Sequence, residues 1–248
     1  MPAERVQPST PFAVTGLEFT GPLFTKKGQS AISYIVLLIC ATRRTLHLEL
    51  SSDMSVDKLL MAVDRFVSRR RLPHTVYSDN AAIFQAARRE LAELCPILND
   101  QQTSHYFAHR GITWKFIAPR AAWWGGWWER MVGTTKRCII KVLGKRQVDD
   151  KKVNTILASI EAAINSRPLT QDDVPETFTP AHFLHGGRLN TIPTGPEPTF
   201  TKSLTKEFRL QQQVVMDFWK KMDKEVPVRT PLLPPGSTTL WKKSAISR

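Results

Sequence analysis

The strongest constraint on the fold is the run Ser33 to Ala41, Ser-Tyr-Ile-Val-Leu-Leu-Ile-Cys-Ala, which carries no charge and is almost continuously apolar. Successive side chains of a strand point to opposite faces, so a strand of this composition must be covered on both. Such a run is expected of a central strand buried on both faces. The apolar stretch Ile35 to Ala41 spans seven residues and is followed by Arg43-Arg44. A membrane span needs about 20 residues, so no membrane partner is expected.

The neighbouring segments supply the rest of the sheet. Phe12 to Leu23 is rich in β-branched and aromatic residues and closes at Gly21-Pro22, and Lys26-Lys27-Gly28-Gln29 is a turn signal for a hairpin. Thr45 to Leu50 alternates with period two, predicting a half-buried third strand. Val56, Leu59, Leu60, Val63, Phe66 and Val67 then recur at helical spacing behind Ser55 as N-cap, and Pro73 stops that helix. His74 to Tyr77 predicts a strand, Ile83 to about Leu94 a helix, and Gly111 to Ile117 a further strand. Helices are predicted from Gly126 to Leu143, Asp149 to Asn165 and Ser203 to about Lys224. Leu169 to Phe200 reads mostly as an extended loop, and ten of the seventeen prolines lie after residue 167. The order β-β-β-α-β-α-β predicts a mixed sheet flanked by helices, an α/β layer fold.

Thirty-five Lys and Arg against twenty-two Asp and Glu leave a formal net charge of +13. That excess points to a polyanionic partner, most often nucleic acid. Nine basic and three acidic residues lie between Arg120 and Lys152, so +6 of the +13 sits there. Cys40, Cys95 and Cys138 form no disulfide framework and no zinc ribbon. His105 and His109, spaced i,i+4, have no partnered cysteine pair and read as surface or loop residues. With no signal-peptide apolar core at Met1-Pro2-Ala3-Glu4-Arg5, an intracellular protein is expected.

Three carboxylates stand where hard divalent metals would need them: Glu18 in the first strand, Asp79 at the end of the fourth, and Glu129 in the first turns of the Gly126 helix. Each also has an ordinary reading, as an outward strand residue, a turn former before Asn80, and a first-turn acid favoured by the helix dipole. Lys136, seven residues after Glu129, shares its helix face, and Arg137 and Lys141 lie one turn apart as further phosphate contacts. Trp123, Trp124, Trp127 and Trp128 bracket Gly125-Gly126 and read chiefly as packing residues.

Five collinear segments resemble one family. Thr15-Gly16-Leu17-Glu18-Phe19-Thr20-Gly21-Pro22-Leu23 resembles the first-strand signature of retrotransposon and retroviral integrase cores. Tyr77-Ser78-Asp79-Asn80-Ala81 with Phe84 resembles their second-acid motif. Ala121 to Arg130 resembles the third-acid motif in the form used by LTR elements of the BEL/Pao type, and Ile160 to Thr170 and Thr179 to Leu184 match that group as well. The resemblance implies an RNase H-like five-stranded sheet and a metal-dependent polynucleotidyl transferase acting in DNA 3′-end processing and strand transfer. It implies Glu18, Asp79 and Glu129 as catalytic and metal-holding residues for two Mg²⁺ or Mn²⁺ ions. It further implies DNA contacts at Lys136, Arg137, Lys141, Asn80 and Arg130, homo-oligomers on DNA, and a nuclear site of action after a cytoplasmic phase.

Where the family has Asp in its first strand this chain has Glu18, one methylene longer. A displacement of about 1 Å can cost on the order of 100-fold in rate, so a DNA-binding derivative without strand transfer is the alternative. A remoter third reading is an interaction module that retains the fold. The family's His-His-Cys-Cys zinc module and C-terminal β-barrel are not evident in the sequence. The expected organisation is a lead-in at 1–10, the catalytic core at 11–190, and a Pro-rich linker, helix and tail at 191–248.

Overall fold

The computed structural model describes residues 9–27, 29–97, 112–117, 148–169 and 178–187, with further positions at 128–129, 131–133, 135–137, 139, 189, 213 and 216–217. Expectations at His105, His109, Trp123, Trp124, Trp127, Arg130 and Lys141, and for the lead-in, most of the 203–224 helix and the Pro-rich tail, lie outside the described residues.

Five strands, β1 (Val14–Lys27), β2 (Gln29–Cys40), β3 (Leu46–Ser51), β4 (Thr75–Ser78) and β5 (Thr113–Phe116), form one sheet in the order β3-β2-β1-β4-β5. The first three form an antiparallel meander. β4 runs parallel to β1, and β5 parallel to β4. Parallel neighbours need crossovers: α1 (Val56–Arg69) lies in the connection that carries the chain from edge strand β3 across to β4 beside β1, and α2 (Ala82–Ile97) leads from β4 toward β5. With α3 (Asp150–Asn165) and α4 (Pro180–His185), this is the RNase H-like mixed sheet flanked by helices.

The apolar run of β2 divides between two cores. Ile35, Leu37 and Ile39 pack with Leu46, Leu48, Trp128, Val132, Ile139 and the buried stripe of α3. Val36, Leu38 and Cys40 pack on the opposite face with Leu59, Ala62, Val63 and Phe66 of α1 and with Phe84 and Ala87 of α2. Alternation on one strand thus supplies both layers, and each large side chain taken fully from water contributes about 1.5–3 kcal/mol.

Gly21-Pro22 does not end the first strand as the sequence suggests. Thr20 pairs with Ile35 and Leu23 with Ser33, so β1 carries one extra residue there, a β-bulge. The bulge reverses side-chain parity: Leu17 faces the α1 layer, whereas Leu23 enters the α3 layer. Gly21 has φ +154°, and a Cβ there would stand 2.7 Å from Tyr34 Cδ1, so only glycine fits.

α3 starts at Asp149, whose carboxylate accepts from the Lys151 amide, and seals the edge of β3. Asn165 accepts from the Leu46 N–H and donates to the Leu46 carbonyl, both at 2.8 Å, as another strand would. Glu161 accepts the Leu48 N–H at 2.9 Å, and Arg65 donates to the Leu50 carbonyl at 3.0 Å. An edge occupied in this way cannot template pairing with another chain. Buried Glu49 accepts from Arg65 Nε at 2.6 Å and Arg69 Nη1 at 2.7 Å, and His47 Nε2 lies 2.9 Å from it. Burial pushes its carboxyl up, but the hydrogen bonds from His47 and Arg65 outweigh this and hold it below the usual range. Arg70 pairs likewise with Glu161.

The stretch after Leu169 is not wholly extended. Residues 180–185 form α4, with Pro180 in its first turn, where a missing N–H costs nothing, and Gly186 at φ 73° as a left-handed C-cap. The Thr179 N–H donates to His182 Nδ1 at 3.1 Å, closing the N-terminal turn.

Candidate active site

Glu18 and Asp79 are brought together by strand register. Val14, Thr15 and Gly16 of β1 pair with Thr75, Val76 and Tyr77 of β4. Two residues further along each strand are Glu18 and Asp79, on the same face because side chains alternate. Glu18 also pairs across β1–β2 with Leu37, whose side chain belongs to the α3-side core, so the carboxylates face that layer. Phe19 points the other way and stacks on Phe84 at 5.7 Å, tying β1 to the start of α2.

The end of β4 is held by three polar contacts. Trp114 Nε1 donates to Ser78 Oγ at 2.8 Å inside the core. Asp79 Oδ1 accepts the Ala81 N–H at 3.0 Å, the Asx turn that opens toward α2. Asn80 Nδ2 donates to the Ile117 carbonyl at 2.5 Å, joining this loop to the residue after β5. Asp79 and Asn80 are both exposed. The Asn80 amide is engaged within the protein, which gives it a positioning role in addition to the DNA contact expected of it.

The described residues between 128 and 139 are helical and present three of the expected groups. Trp128 is buried, with its ring 6.1 Å from Tyr77, and anchors this segment against the sheet. Glu129 is exposed, Lys136 half-buried and Arg137 exposed. The Glu18 carboxyl reports how these elements converge. Burial and the negative charge of Asp79 push it up; Lys136 opposes that, Glu129 adds to it, and a hydrogen bond from Trp128 opposes it, the result being about 7. Such a value marks a cluster of carboxylates around a partly desolvated one.

The donor chemistry fits a hard divalent cation: carboxylate oxygens from three elements whose mutual repulsion a cation would relieve. Among the described residues, however, no three His, Cys, Asp or Glu side chains are set closely enough to enclose an ion. Glu18 is turned to Trp128 and one oxygen of Asp79 to the Ala81 amide. The groups therefore share one electrostatic neighbourhood and must close further to become ligands. The hydrogen bond from Trp128 to Glu18 is the contact that sequence reasoning missed, the four tryptophans being indistinguishable by composition. The position directly before Glu129 was the available signal. Among the described residues no helix is long and apolar enough to cross a membrane.

No family model matches the sequence, and no curated protein does. Solved structures are similar in fold. One is a chain from the cryo-EM structure of the simian T-cell lymphotropic virus intasome in complex with PP2A regulatory subunit B56 gamma, at 15% identity and TM-score 0.48, covering 79% of this chain and 60% of that one. Another is the catalytic core domain of BIV integrase, at 16% identity and TM-score 0.47, covering 70% of this chain and 93% of that one. A third is the HTLV-2 integrase catalytic core domain in complex with magnesium, trimeric form, at 13% identity and TM-score 0.43, covering 71% and 98%. These are likenesses of fold, and the strand order and register of the chain itself identify its architecture as RNase H-like.

Proposed function

We propose that the chain is a DNA-integration catalytic core of the LTR-retrotransposon kind, of the BEL/Pao type, carrying out DNA 3′-end processing and strand transfer. The observation that carries this reading is the β1–β4 register that sets Glu18 and Asp79 on one face of the sheet, where Glu129 and Lys136 also act on the Glu18 carboxyl. Glu18, Asp79 and Glu129 would hold Mg²⁺ or Mn²⁺. When bound, such ions supply Lewis-acid activation of the attacking and leaving oxygens of an in-line displacement.

The protein's own contributions follow from its side chains. Glu18 must shed its proton, held to about pH 7 by burial and by Asp79, before it can serve as a ligand. Trp128 orients that carboxyl through its hydrogen bond, and Asn80 fixes the loop that bears Asp79. Lys136, half-buried beside Glu18, supplies a cation for a phosphate at the reacting centre, and Arg137, Lys141 and Arg130 extend the basic face along the backbone. The partner is duplex DNA with little sequence preference, the place of action is the nucleus, and the working form is a homo-oligomer on DNA.

A second reading is favoured by one observation. Glu18 is one methylene longer than the aspartate of the family and is hydrogen-bonded to Trp128 rather than set with Asp79 and Glu129 around an ion, which suits a derivative that binds DNA without strand transfer. The two readings part on Mn²⁺-dependent release of the terminal nucleotides from a labelled duplex end. The enzyme reading expects release that Asp79→Asn abolishes. Tight duplex binding without release favours the derivative, and absence of both overturns the proposal.

A further inference from the structure

The turn between β2 and β3 carries a second cationic cluster, formed by Arg43, Arg44 and, from the C-terminal end of α3, Arg167. Arg167 donates from Nη2 to the Arg44 carbonyl at 2.7 Å and from Nη1 to the Ile164 carbonyl at 2.8 Å. The Arg43 guanidinium lies 4.6 Å over the Phe183 ring of α4. Among the described residues none of the three forms an ion pair with a carboxylate, whereas Arg65, Arg69 and Arg70 along the same edge all do.

Two features set this cluster apart from a solvated surface. Arg44 has φ 54°, a left-handed conformation that side chains other than glycine adopt rarely and that gathers at functional sites. Arg43 Nε, Thr45 Oγ1 and Ser166 Oγ, at the same junction, are buried without a hydrogen-bond partner among the described residues. Like charges are also held together here, since burial and neighbouring Arg44 push Arg167 down to about 10. An anion would relieve that repulsion, and guanidinium forks match phosphate oxygens.

We infer that the β2–β3 turn and the end of α3 form a second phosphate site, at which Arg43, Arg44 and Arg167 hold nucleic-acid backbone away from the carboxylates. The inference rests on the reading of the chain as DNA-binding. The Ala41 N–H bonds the Val14 carbonyl, so the turn sits at the start of β1. Glu18 lies four residues further on, about 13 Å at 3.3 Å per residue. That is about four base pairs of duplex at 3.4 Å each, and α3 packs on the face that Glu18 shares. One duplex can therefore reach both places.

The test is the salt dependence of duplex DNA affinity, by fluorescence anisotropy, for the full chain and two double variants. Arg43→Gln/Arg44→Asn removes two charges, with asparagine tolerating the left-handed backbone. Arg88→Gln/Arg89→Gln removes the same charge from exposed positions of α2, which packs on the opposite face of the sheet. The first should lower the slope of log K against log salt by about 1.8, or 0.9 per lost phosphate contact, and the second should leave it unchanged. Arg44→Asn alone, which keeps Arg43 on Phe183, should lower it by about 0.9 and guards against a folding defect. Equal slopes for the wild type and the β2–β3 turn variants, or an equal loss in the α2 control, overturn the inference and leave the DNA-binding reading standing. A wild type that binds no duplex overturns both. Inorganic phosphate that raises the melting temperature of the wild type but not of the β2–β3 turn variant, with duplex slopes unchanged, assigns the cluster to a free anion and overturns a nucleic-acid role.

Discussion

Replacing Glu18 by Gln should stabilise the protein, and only at high pH. In the unfolded chain this carboxyl ionises near 4.5, and in the folded protein at about 7. Below 4.5 both states carry the proton, and the group imposes no penalty. As pH rises through the interval the unfolded chain releases the proton first, so stability falls, and above about 7 the folded protein bears a charge repelled by Asp79 and Glu129. The interval converts to about 3.4 kcal/mol at 1.36 kcal/mol per pH unit. Solvent reaches the half-buried side chain, and screening reduces the expected effect to about 2 kcal/mol. Glutamine keeps the shape and an oxygen for the Trp128 N–H but cannot ionise. Urea unfolding at pH 4.5 and pH 8.5 should give equal midpoints for the two proteins at the lower pH, and about 2 kcal/mol in favour of Gln at the higher. A variant no more stable than wild type at pH 8.5, with equal m-values, would refute the claim that Glu18 sits among like charges.

Lys136→Gln removes the cation that opposes protonation of Glu18, so the Glu18 titration followed by NMR should move above about 7; a downward move would contradict the site geometry. Glu18→Asp shortens the ligand by one methylene and withdraws it from Trp128, and should raise strand transfer by one to two orders of magnitude, about 1.4–2.7 kcal/mol, in Mn²⁺. Glu161→Gln leaves Arg70 without its buried counter-charge and takes from His47 one of its two carboxylate partners, Glu49 remaining, and should cost about 3–5 kcal/mol in chemical denaturation. Burial pushes His47 down, but its hydrogen bonds to Glu161 and Glu49 outweigh this and raise its pKa. The contribution of His47 is therefore complete below 6.5 and fades as pH rises through its folded value, whereas Glu49 and Glu161, held below the usual carboxylate range, lose theirs in acid.

What was legible in the sequence is what short-range pattern encodes. The two-faced apolar run of β2, the alternation of β3 and the periodicity of α1 each decide their element from adjacent residues, and together they imply the layered sheet. Gly21-Pro22 reads as a strand end because the same residues that build turns also build bulges, and only the partner strand distinguishes the two. α4 escaped because six residues in a Pro-rich stretch are too few for a periodic signal, although Pro180 and Gly186 stand at the positions that bound a helix. The capping of β3 by Asn165 joins residues 119 apart and has no local signature. In the site, Glu18 and Asp79 were singled out by their place on the strands and by motif, and the turn at Asp79 by its residue type. The protonation of Glu18 was not, because it is a property of three elements acting on one carboxyl.

The central claim is that Glu18, Asp79 and Glu129 act together on DNA phosphodiesters. Its most direct test is transfer of a labelled DNA end into plasmid by the full chain in Mn²⁺, at pH 6 and pH 8. The account predicts a product at both pH values that Glu129→Gln abolishes. Transfer that survives Glu129→Gln, or no transfer at either pH from a folded wild type that binds the duplex, would contradict it.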